Sequence, residues 1–75
     1  MTEEQLELKS KALAEIEALV AQAATTEPRE VVHLAAKAGE VNLYYALFVD
    51  DDTTDLLIAG RPLFDARNKY LNRHK

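Results

Sequence analysis

Glu30 and His33 stand three residues apart in a stretch of helical character. On one helix face that spacing matches half of a carboxylate-bridged di-iron site. A full site also needs a second such pair, or a symmetry mate, and glutamates from facing helices. Glu15 and Glu17 are the only nearby candidates, so the simpler reading is a first-turn acid beside a surface histidine, and no metal is expected. The aspartates Asp50, Asp51, Asp52 and Asp55 raise the question of calcium. An EF-hand loop requires glycine at its sixth position and glutamate at its twelfth. Counted from Asp50 those positions hold Asp55 and Arg61, so the pattern fails, and helix capping accounts for the cluster. The one serine, Ser10, falls on the polar side of a helix, and there is no cysteine, so no nucleophilic set can be assembled. Gly39 and Gly60 are the only glycines, too few for a phosphate loop or a dinucleotide fingerprint. Carboxylates, His33, Lys37, Tyr44 and Tyr45 remain, with little enclosed volume to desolvate them. The chain reads as a non-enzyme without a cofactor.

Charge offers a second kind of chemistry. Residues 1–60 carry a net −8 and residues 61–75 a net +4. Arg67, Lys69, Arg73 and Lys75 share the tail with Asn68, Tyr70 and Asn72, residue types that can hold phosphate and hydrogen-bond nucleic acid. The chain as a whole is acidic at −4, whereas nucleic-acid binders usually show a dominant basic field. The tail reads more simply as a cationic helix end or as a partner for the acidic first helix. A nucleic-acid-associated regulator is therefore an alternative, and an acidic mimic of a phosphate backbone is a further one.

Aromatic and branched residues are the most informative group. Leu43, Tyr44, Tyr45, Leu47 and Phe48 crowd one short stretch. Tyrosine and phenylalanine are enriched at protein interfaces, where an apolar body and a polar edge are both useful. At helical spacing Val31, Leu34, Ala38, Val41, Tyr45, Phe48 and Val49 make one apolar face, and Val32, Ala36, Leu43 and Leu47 a roughly opposite one. A helix apolar on both sides is normally buried on both sides. The expected intramolecular core is Val31, Leu34, Val41, Tyr45 and Phe48. The expected partner-binding set is Val32, Leu43, Tyr44, Leu47 and Phe48, so Phe48 is assigned to both faces. Periodicity alone leaves the two faces exchangeable.

Three helices must position these residues. Thr2-Glu3-Glu4-Gln5 is a capping-box pattern opening a first helix over about 3–24. Its apolar stripe holds Leu6, Leu13, Ile16, Val20 and Ala23 with Leu8, Ala12 and Leu19, interrupted by Lys9. Thr25-Thr26-Glu27-Pro28 is a boundary, with Thr26 available as a cap and proline tolerated in a first turn. The second helix is expected over about 28–49, running through Gly39, with a shorter helix ended by that glycine at Ala38 as the alternative. Asp50 to Asp55 opens a third, over about 54–73, with a kink or short interruption at Gly60-Arg61-Pro62. Two heptad series, Leu56/Leu63/Tyr70 and Leu57/Phe64/Leu71, stay in phase across that point.

Short connections imply antiparallel neighbours, so the predicted fold is an all-α, antiparallel bundle of three helices forming one domain. Seventy-five residues bury only about 60% of the unfolded surface. Twelve of the hydrophobic residues are alanines, which favour helix but bury little area. Without disulfides, oligomerisation is the expected compensation, most simply a homodimer. No apolar run reaches a membrane-spanning length and no signal-peptide pattern is evident, which makes the cytoplasm the expected location.

Overall fold

The start of α1 is built as its sequence predicts. In a computed structural model, which describes residues 2–73, α1 spans Glu3–Ala23. The Gln5 amide N–H donates to Thr2 Oγ1 at 3.1 Å, and the Thr2 N–H donates to Gln5 Oε1 at 3.0 Å. The other half of the Gln5 side chain donates from Nε2 to the Val49 carbonyl at 3.0 Å. One residue thus caps α1 and ties its start to the end of α2, which spans Pro28–Phe48. The third helix, α3, covers Thr54–Arg73. All three pack on one another, and among the described residues there is no strand. The Lys9 ammonium pairs with the Asp55 carboxylate in the first turn of α3. The charge that interrupts the apolar stripe of α1 therefore has a partner across the bundle.

One boundary forms differently from expectation. Thr26 does not cap α2: its hydroxyl donates back to the Gln22 carbonyl at 2.6 Å, closing the end of α1. Glu27 occupies the N-cap position without a side-chain bond, and Pro28 takes the first turn, where its missing N–H costs nothing. The third helix is continuous through Gly60-Arg61-Pro62. Pro62 removes the bond that would have engaged the Ile58 carbonyl, but both residues are exposed, so water can satisfy the freed oxygen. The acidic connection does cap, as read. Asp52 Oδ1 accepts from the Thr54 N–H at 3.2 Å and its hydroxyl at 2.7 Å, and Asp50 Oδ1 accepts from the Asp52 N–H at 3.1 Å. The Thr54 bonds hold the Asp52 carboxyl below the usual carboxylate range.

The core is narrow. Ala12 and Ile16 of α1, Val31, Leu34, Ala35, Ala38 and Tyr45 of α2, and Leu56 and Leu63 of α3 are buried. Leu13, Leu19, Val20, Val41, Val49 and Phe64 pack around them half-covered. Two expectations are corrected. Phe48, placed in the core, is 70% exposed. At 100° per residue it lies roughly 60° to one side of Tyr45, whereas Ala35 lies roughly 80° to the other side. Ala35 is buried, which turns the core-facing direction of α2 away from Phe48. Leu6 of the α1 stripe stays exposed at the open end of the bundle. Of the two heptad series on α3, the one through Leu56 and Leu63 is buried, while Leu57 and Leu71 remain about half exposed.

Gly39 sits inside α2 with a helical backbone, and a Cβ placed there would meet nothing within 4 Å. Glycine in a helix interior is less favourable than alanine because it loses more backbone freedom on folding. Gly39→Ala is expected to raise stability by about 0.5–1 kcal/mol, read as a higher urea midpoint with an unchanged slope.

Candidate protein-binding surface

The end of α2 carries a continuous uncovered apolar ridge. Leu43, Tyr44, Leu47 and Phe48 are 61–70% exposed, and the Tyr44 and Phe48 rings lie against each other with centroids 4.9 Å apart. These are four of the five side chains expected to face a partner. The fifth, Val32, is half-buried near the start of the helix, away from the ridge, and adds less. Tyr45, their neighbour, points the other way and is the largest buried side chain of the core. Its hydroxyl is buried without a hydrogen bond. Burial, and secondarily the nearby Asp50 carboxylate, push its ionisation above the usual tyrosine range.

Beside this ridge runs a groove of about 680 Å³ between α1 and α2. Ala12, Leu19, Val41 and Tyr45 contribute to its apolar lining, and Lys11, Glu15, Lys37 and Glu40 are charged residues along it. Tyr44 belongs to both features, lining the groove while stacking on Phe48. On α3, Leu57 and Ile58 are exposed too. Ile58 escaped the sequence reading because it belongs to neither heptad series.

The basic tail divides, with Arg67 on one side of α3 and Lys69 and Arg73 together on another. Arg67 donates to Asn68 Oδ1 from Nε and Nη2 and lies over the Phe64 ring, 5.5 Å from its centroid. Lys69 and Arg73, one turn apart, edge a recess of about 270 Å³ against Pro28 and Val31 at the opposite end of the bundle from the ridge. Lys75 lies outside the described residues. Among the described residues no ion pair joins this tail to α1. Glu30 and His33 do face each other, at 3.9 Å, but both are largely exposed. No group of three or more acidic or histidine side chains that could hold a metal occurs among the described residues. No helix is long and apolar enough to cross a membrane.

Fold and surface together define an all-α three-helix bundle with an uncovered aromatic-aliphatic ridge on its middle helix. Comparison with protein-family models, curated proteins and solved structures finds no match to this chain.

Proposed function

We propose that the chain is a non-catalytic interaction module that works by binding protein through the outer face of α2, in the first place a second copy of itself. The observation that carries this reading is the ridge of Leu43, Tyr44, Leu47 and Phe48, four large side chains in two helical turns with at least 61% of their surface in solvent. Scattered exposed apolar residues are ordinary, but a contiguous patch marks an interaction site. The dimensions support it. The chain exposes 5380 Å², where a compact monomer of 8.4 kDa exposes about 4,600 Å². Its radius of gyration is 13.0 Å, where a compact domain of this length has roughly 11 Å. A standard protein interface covers about 800 Å² per partner, which is the scale of that excess. Such a module would serve as a cytoplasmic adaptor, regulator or inhibitor. A nucleic-acid role draws less support from a tail that brings only Lys69 and Arg73 together, with Arg67 turned away.

Light scattering over a tenfold concentration range tests the reading, with the expected mass twice the 8.4 kDa of one chain. Leu47→Glu is expected to weaken association by on the order of 100-fold or more, because a leucine is lost and a carboxylate is buried in each of two copies. Leu47 is 68% exposed in the single chain, so helix content by circular dichroism should be retained. A chain that stays at 8.4 kDa throughout would overturn self-association.

A further inference from the structure

The exposed face of α2 carries charged residues on both sides of its apolar ridge. At 100° per residue Arg29, His33, Lys37, Tyr44 and Leu47 fall on one outward face. The first half mixes Arg29, His33 and Lys37 with Glu30 and Glu40, the end is the apolar ridge, and beyond it comes Asp50-Asp51-Asp52. Arg29 and His33 already have Glu30 beside them, at 3.8 and 3.9 Å. Lys37 makes no ion pair among the described residues. Asp50 and Asp52 are committed to the loop through their bonds to Asp52 N–H and Thr54. Asp51 is exposed and makes no hydrogen bond among the described residues. Among the described residues of this face Lys37, Glu40 and Asp51 make no ion pair, and Lys37 and Asp51 lie seven residues before and seven residues after Tyr44.

From this symmetry we infer that the partner is a second copy packed antiparallel, α2 on α2, about a two-fold axis passing near Tyr44. The inference rests on the self-association reading and adds its geometry. In that register Lys37 of each copy faces the partner's acidic loop after α2, where Asp51 is the carboxylate left without a hydrogen bond, and the pair is made twice. The Tyr44–Phe48 stack of one copy reaches the level of the partner's Val41, whose side chain lines the groove between α1 and α2. A parallel pairing would instead set Lys37 against Lys37 and the three aspartates against three aspartates, and like charges in register repel. A two-fold interface is self-complementary and closes, so the assembly stops at two chains.

The test uses the full chain and two readouts. Lys37→Glu and Asp51→Lys are each expected to weaken the dimer about tenfold at low salt by replacing two attractions with two repulsions. Combining both substitutions is expected to restore it to within about threefold of the parent. For orientation, a nitroxide is attached at His33→Cys, which is unique because the chain has no cysteine. His33 lies eleven residues from Tyr44, so at 1.5 Å per residue the labels sit about 33 Å apart if antiparallel. They sit about 10–15 Å apart if parallel, given helix axes 8–10 Å apart. A dimer with short label distances, or one in which the double variant is as weak as the singles, overturns the antiparallel register while leaving self-association standing. A monomer at all concentrations removes both.

Discussion

Replacing Leu63 with alanine is expected to cost about 3 kcal/mol and lower the melting temperature by more than 10 °C. Leu63 has no solvent-exposed surface and sits with Leu56 where α3 meets the other two helices. Truncation removes its transfer energy and leaves a cavity that a rigid bundle closes only in part. The effect is severe because so little else is available. Among the described residues Tyr45, Ile16, Leu56 and Leu63 are the only large side chains that are fully covered, and a domain of this length has on the order of 4–11 kcal/mol in total. The control is Leu57→Ala in the alternative heptad series. Leu57 is half exposed, and its loss should cost less than about 1 kcal/mol. Thermal and urea melts at one fixed chain concentration compare the two. Equal losses would mean that the bundle does not use the first series as its core.

That contrast also marks what could be read from the residues. Helix positions were legible because their signals are local: the Thr2–Gln5 box, Pro28 in a first turn, and the aspartates before Thr54. Facing was legible only where a helix has one apolar side. On α2 both sides are apolar, and the choice between them was made by alanine. Ala35 and Ala38 are buried at 1% and 0% because small side chains let another helix approach, so the core direction follows them and leaves Phe48 outside. A reading weighted by large residues puts Phe48 inside. On α3 both heptad series continue past Pro62 equally well, and only the packing on α1 and α2 chooses between them. The cross-bundle ties from Gln5 to Val49 and from Lys9 to Asp55 join residues more than forty positions apart. No spacing rule within one helix reports such pairs. Most of the candidate surface was legible nonetheless, since Leu43, Tyr44 and Leu47 are too many large groups for so thin a bundle to cover.

The two glycines divide on the same principle of approach, and Gly60 carries the second large prediction. Gly60 is buried in α3, where an added Cβ would lie 3.1 Å from Phe64 Cε2 and 3.5 Å from Ile16 Cγ2. Its backbone is helical, so no conformational demand requires glycine there; space does. Alanine would gain helix propensity while pushing on the edge of a half-covered ring that can yield by a few tenths of an ångström. Those terms oppose each other and the net change should be small. Valine adds two methyl groups beyond that Cβ with one strongly preferred helical rotamer, so crowding against Ile16 and Phe64 cannot be relieved by rotation. Gly60→Val is therefore expected to destabilise by about 2–3 kcal/mol, as overpacking of a filled core does. Combining it with Phe64→Ala, which clears the nearer obstacle, should recover part of the loss relative to the sum of the two single changes. A double-mutant cycle measures that coupling, because residues in contact depart from additivity. Strict additivity would mean that Gly60 is not kept small by Phe64, and that the close approach of α3 to α1 is set elsewhere.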